Sequence, residues 1–234
     1  MGQRYSIVGG NHEREIVLLK SFPCKYGKCS FCNYILDNST DEEEIIAVNK
    51  CALAEVTGKV GVLEVVNSGS VFELPKTSIE DIKSLVIAKN IHTLYFEIYY
   101  GYKNKLQEIR DFFSGINIRF RMGLETFDND FRINVYKKRF SLHEKDYQYL
   151  GKELFSVCLL VCVNGQTKEM IDNDIELGLK YFKSITINVF VNNDTAVTRD
   201  EELYQWFVAK YSYLQENPRV ELLITNKELG VFEQ

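Results

Sequence analysis

Ile16-Val17-Leu18-Leu19 leads through Lys20-Ser21 into Phe22-Pro23-Cys24-Lys25-Tyr26-Gly27-Lys28-Cys29-Ser30-Phe31-Cys32-Asn33-Tyr34. The apolar run is too short for a buried helix and reads as a strand, and the loop that follows carries three thiols within nine positions. Runs of the same kind recur at 60–66, 93–99, 118–124, 157–163, 185–191 and 220–224, each rich in β-branched or aromatic residues. Between them lie amphipathic stretches with helix-start patterns, Thr40 with Glu43, Ser141 with Glu144 and Thr198 with Glu201.

Strand and helix thus alternate, and runs that are apolar on both faces imply a parallel sheet beneath a helical layer, joined by right-handed crossovers. The expected class is α/β, with six or seven units forming a closed or partial barrel. No linker or repeat interrupts the pattern, so residues 1–234 read as one domain, with a short extension at 1–15 and a terminal strand and tail at 218–234. In such folds the ligand site lies at the C-terminal ends of the strands, where the cysteine loop falls.

Composition narrows the classes further. Lys plus Arg number 28 against 33 Asp plus Glu, and no basic run occurs, so an extended nucleic acid is not the expected partner. The first ten residues lack the basic and apolar regions of a signal peptide, and no apolar run approaches membrane-spanning length, so a cytoplasmic protein is expected. Six cysteines are too few for a disulfide scaffold, and three crowded together in a reducing compartment read as metal ligands.

Cys24, Cys29 and Cys32 can hold three irons of a [4Fe–4S] cubane, with Gly27 supplying backbone freedom. The fourth iron then lacks a protein ligand and is open to the amino and carboxylate groups of S-adenosylmethionine. A structural zinc site is the competing reading; it needs a fourth ligand, which His12 or Cys51 could donate. Cys51, Cys158 and Cys162 read as buried structural thiols.

With this loop in place the sequence resembles the radical SAM superfamily, although four residues rather than the common three separate the first two cysteines. The resemblance implies a partial (βα)6-type barrel. It places Phe31 near the adenine and the Asn67-Ser68-Gly69-Ser70 turn at the methionine amino group. Glu97 and Glu125, which close two strands, would accept hydrogen bonds from the ammonium or ribose hydroxyls. Asn164, in Val163-Asn164-Gly165-Gln166-Thr167, falls in an adenine-side turn. For the carboxylates, a salt bridge to a neighbour such as Arg121 is the plainer reading.

The segments Arg14–Lys20, Ile35-Leu36-Asp37-Asn38-Ser39 and Asn67-Ser68-Gly69-Ser70-Val71-Phe72-Glu73 look like the small radical SAM enzymes of queuosine salvage, the queuine lyases. That resemblance implies hydrogen abstraction from the cyclopentenediol of queuine by a 5′-deoxyadenosyl radical. The carbon–nitrogen bond then breaks and 7-aminomethyl-7-deazaguanine is released. Phe22 as a stacking platform, and Asp37, Glu73, Asn226 and Glu228 as polar contacts, are the substrate-side candidates. A flavodoxin or ferredoxin would supply the electron, and a homodimer could close an open barrel side. Two alternatives stay open: another radical SAM enzyme, such as an RNA modifier or activase, and a non-catalytic zinc or iron–sulfur protein.

Overall fold

The computed structural model describes residues 3–227. They divide into two compact units, one of residues 3–27 and 34–120, the other of residues 28–33 and 121–227. The first contains β1 (Tyr5–Val8), β2 (Arg14–Leu19), α1 (Glu42–Ala54), β3 (Val62–Asn67), α2 (Lys76–Ala88), β4 (Thr93–Ile98) and α3 (Leu106–Phe112). The division falls within β5 (Asn117–Glu125). The second unit continues with α4 (Asn129–Asn134), α5 (Glu144–Glu153), β6 (Ser156–Val161), α6 (Lys168–Tyr181), β7 (Ser184–Val189), α7 (Glu201–Tyr211) and β8 (Val220–Leu223).

All seven expected strands form, and within each unit the sheet order follows the chain order. In the first unit β2, β3 and β4 run parallel, with Val17 opposite Val65 and Val65 opposite Phe96. In the second unit β5, β6, β7 and β8 are parallel neighbours, with Val157 opposite Ile185 and Ile185 opposite Val220. Every residue of β2 and of β6 is buried, as strands covered on both faces should be. Helices supply the cover: α1 packs on β2 and α2, and α6 packs on β6 and β7.

Three features depart from the reading of the sequence. An eighth strand, β1, pairs antiparallel with β2 inside the stretch expected to be a mere extension. Its Tyr5-Ser6-Ile7-Val8 is short and partly solvated, so it lacks the apolar run of an interior strand. The helices also start later than the Ser/Thr patterns imply: Asp41 caps α1, His143 caps α5 and Asp200 caps α7. Asp41 Oδ1 accepts from the backbone of Glu43 and Glu44 at 3.0 and 3.2 Å, and Asp200 from Leu203 at 2.9 Å. At those two helices a carboxylate meets the positive helix end better than the hydroxyl beside it. Finally, the strands are not apolar throughout. Arg14 and Glu64 pair at 2.5 Å in the first unit, and Arg121 and Glu221 at 3.1 Å in the second, all four nearly inaccessible to water. Buried charge persists there only because each group is compensated.

Candidate active site

In the first unit the site is built around Cys24. Glu73, expected to meet substrate, is buried and turned inward. Its Oε1 accepts from the backbone of Lys25 at 3.2 Å and from the Tyr102 hydroxyl at 2.9 Å, and its Oε2 accepts from the backbone of Ser70 at 2.6 Å. Phe22, half-buried, donates its backbone N–H to the Glu73 carbonyl at 3.0 Å. One residue thus joins the cysteine loop to the Asn67–Ser70 turn. Burial pushes the Glu73 carboxyl up despite these donors, and burial with the neighbouring Glu73 charge raises Tyr102, whose hydroxyl therefore stays a donor.

The Asn67–Ser70 turn is tight for a steric reason. A Cβ at Gly69 would lie 3.1 Å from Glu73 Oε2 and 3.3 Å from Cys24 Cβ, so any side chain there would press on both. Asn67 Nδ2 donates to the Ser70 carbonyl at 3.0 Å, while its buried Oδ1 has no hydrogen-bond partner among the described residues. The Ser68 hydroxyl meets that of Ser21 at 3.2 Å. An orphaned acceptor at a close-packed glycine turn is what a ligand amino group would satisfy.

The second unit holds Cys29, Phe31 and Cys32. The backbone and hydroxyl of Ser30 donate to the carbonyls of Tyr136 and Val135 at 3.1 and 2.6 Å, and the Phe31 carbonyl accepts from Asn193 at 3.1 Å. The Phe31 ring meets Tyr136 edge-on, 5.2 Å between centroids, and Lys138 Nζ lies 5.7 Å from its centre. Glu125 closes β5 at a bulge with φ +68°, and its carboxylate pairs with the buried Lys138 at 2.7 Å. Lys138 also donates to the Gly123 carbonyl at 2.6 Å. A Cβ at Gly123 would come within 2.4 Å of Glu125 Oε1 and 2.8 Å of Lys138 Nζ, so a side chain there would displace the pair. Burial opposes the Lys138 charge, but Glu125, and after it Cys29, outweigh burial and hold the pKa above the usual lysine range. The salt bridge weighed for Glu125 therefore exists, with Lys138; Arg121 pairs instead with Glu221.

Behind this corner the buried Asp174 accepts from the backbone of Phe127 at 2.6 Å and from the Thr126 hydroxyl at 3.1 Å. Burial pushes its carboxyl up to about 7. Arg132, wholly buried, donates to the carbonyls of Leu124 and Thr126, which fixes the turn after Glu125 from the other side.

The other candidates lie on different elements. Glu97 is half-buried near the end of β4. Asn164 is exposed and tied to Thr198, its backbone N–H donating to the Thr198 carbonyl at 2.9 Å. Asp37 forms an ion pair with Arg4, which reaches its second oxygen at 3.0 Å. Asn226 donates to the Val189 carbonyl at 2.8 Å, and Glu228 lies outside the described residues. Cys158 and Cys162 are buried as expected, and burial pushes the Cys162 thiol up to about 12, where it stays protonated. Cys51 is exposed on α1, contrary to expectation, because it falls on the helix face turned away from β2. Lys138, Tyr102, Asn193 and Tyr136 were not singled out in the sequence; only the positions after strand ends pointed toward such residues.

Among the described residues no three His, Cys, Asp or Glu side chains form a group that could hold a single metal ion. A cubane of irons and sulfides spreads its thiolates over a larger body than one ion does. Cys24, Cys29 and Cys32 are half-exposed and not disulfide-bonded, and Cys24 lies against the turn at Gly69. That donor set fits a three-thiolate cluster. No helix among the described residues is long and apolar enough to cross a membrane.

Neither a protein-family model nor a curated protein matches the chain. Among solved structures, it is similar to a queuine lyase from Clostridium spiroforme bound to SAM and queuine. The identity is 44%, the TM-score is 0.95, and the match covers 100% of both chains. The fold is accordingly the partial radical SAM barrel. Agreement in fold and in 44% of residues along the full length makes this chain a member of the queuine lyase family of radical SAM enzymes.

Proposed function

We propose that this chain, acting as one catalytic domain, cleaves the carbon–nitrogen bond of queuine and releases 7-aminomethyl-7-deazaguanine. The observation that carries the reading is the full-length match, at 44% identity, to a queuine lyase bound to SAM and queuine. Bound together, the cluster and S-adenosylmethionine supply a carbon-centred radical by one-electron reductive cleavage of the sulfonium.

The chain's own residues do the holding. Cys24, Cys29 and Cys32 ligate the cluster. Asn67 Oδ1 and the backbone of Ser68, Gly69 and Ser70 receive the methionine ammonium, since the turn offers acceptors and no side chain at Gly69. Phe31, braced by Tyr136 and Lys138, presents a flat apolar surface to the adenine. Glu97, Glu125 and Asn164 complete the cofactor side, with Glu125 oriented by Lys138. Glu73 and Asp37 are positioning residues in this reading, because their carboxylates are already engaged by Tyr102 and Arg4. Phe22 and Asn226 remain substrate-side candidates, together with Glu228. A cytoplasmic low-potential flavodoxin or ferredoxin supplies the electron.

The test is anaerobic reconstitution with iron and sulfide, followed by incubation with S-adenosylmethionine, dithionite and queuine. The expected products are 5′-deoxyadenosine and 7-aminomethyl-7-deazaguanine, with iron lost in each of Cys24→Ala, Cys29→Ala and Cys32→Ala and retained in Cys51→Ala. Cofactor cleavage without the deazaguanine product would reject queuine as substrate. Zinc in place of iron would reject the radical chemistry altogether.

A further inference from the structure

Beside Cys24 the first unit presents a set of aromatic rings flanked by lysines. The Tyr26 and Tyr99 rings stack with centroids 5.5 Å apart, and Tyr102 meets Tyr99 edge-on at 6.5 Å. Lys25 Nζ lies 5.0 Å from the centre of the Tyr102 ring, and Lys103 Nζ 4.2 Å from that of Tyr100. Lys25 and Lys105 are exposed and Lys103 partly so. The contributing segments, 22–27 and 99–105, contain no Asp or Glu, in a chain with 33 acidic residues and a net charge of -5. The exposed charge of these two segments is therefore basic, the Glu73 carboxylate that holds Tyr102 and the Lys25 backbone being buried beneath them.

Tyr26 stands two residues from Cys24 in the chain, and the Tyr102 hydroxyl shares the Glu73 carboxylate with the backbone N–H of Lys25, next to Cys24. Reductive cleavage needs one electron from outside, and a protein donor has to bring its own cofactor near a cluster ligand. Such encounters are brief and small, and they are steered by charge rather than by a large apolar contact. We propose that Lys25 and Lys103, packed on the rings of Tyr102 and Tyr100, together with the exposed Lys105, form the docking face for an acidic one-electron donor protein. The donor loses one electron, the cluster gains it, and no bond is made or broken in that step. The inference rests on the radical SAM reading given above.

Reconstituted Lys103→Glu/Lys105→Glu holoenzyme is compared with the wild type using dithionite and, separately, reduced flavodoxin. Neither lysine belongs to the cofactor or substrate site, so dithionite-driven 5′-deoxyadenosine formation should be unchanged. With flavodoxin the variant should need about tenfold more donor for half its maximal rate. Calorimetry with oxidised flavodoxin should show a similar loss of affinity, and both differences should vanish at 1 M salt, where charges are screened beyond about 3 Å. Equal donor requirement and equal affinity in variant and wild type would overturn the proposal. So would a matching loss with dithionite, which would make the face part of the site or the fold. If wild-type holoenzyme makes no 5′-deoxyadenosine with dithionite, the functional reading itself fails, while the calorimetric arm still reports on the face.

Discussion

Replacing Glu73 by alanine removes the acceptor of three donors at once: the backbone N–H groups of Ser70 and Lys25 and the Tyr102 hydroxyl. Ser70 is wholly buried, so its N–H is left without a partner, at a cost of about 1–3 kcal/mol. Lys25 is exposed and Tyr102 half-buried, so each can recover water and loses only about 0.5–1 kcal/mol. The sum is about 3 kcal/mol, a fall in Tm of about 6–12 °C for a chain of this size. Because Lys25 adjoins Cys24, loosening the loop should also lower iron content on reconstitution. Glu73→Gln keeps one oxygen for Ser70 and lets the Tyr102 hydroxyl turn to accept, so it should lose about 1 kcal/mol. Urea unfolding of the apo chain, with iron and sulfide analysis of the reconstituted one, measures both effects. A loss below 1 kcal/mol in Glu73→Ala with full iron content would refute the bracing role. If KM for queuine then rose, Glu73 would be a substrate contact instead.

Two further expectations concern the end of β5. The folded pKa of Asp174, about 7, lies above its ordinary value of 3.8 because of burial, so the protonated form is the one the fold favours. Its contribution to stability is full below about pH 4 and is lost as pH rises through 7, at about 1.4 kcal/mol per pH unit across that window. Asp174→Asn mimics the protonated side chain, so the variant should gain on the wild type from pH 4 to pH 7; parallel urea midpoints over that range would contradict the assignment. Lys138→Met strands the buried Glu125 carboxylate and should cost about 3–5 kcal/mol, whereas Lys138→Met with Glu125→Gln should recover more than half of it. A double variant no more stable than the single one would show that the pair is not the reason.

Local regularities carried much of the reading. The cysteine loop, the seven apolar runs and the alternation of strand with helix are properties of neighbouring residues, and hydrophobic period alone distinguishes them. β1 escaped because an edge strand with a half-solvated face has no such run, and Ile7 on it is 51% exposed. The helix starts slipped by one to two residues because neighbouring capping residues compete for the same N–H groups.

What each carboxylate does could not be read from the chain. Glu73, Glu125 and Asp37 carry the same group, yet one braces a turn, one neutralises a buried lysine and one pairs with Arg4. Those roles depend on donors distant in the chain, such as Tyr102 for Glu73 and Arg4 for Asp37, and on a glycine at 123 that makes room for the Lys138 pair. The sequence alone thus determined the parallel α/β order and pointed to the thiolate donors, because both follow from spacing along the chain. Only the tertiary structure decided which polar groups remain open to a ligand, because satisfaction of a buried donor or acceptor depends on whatever folding brings beside it.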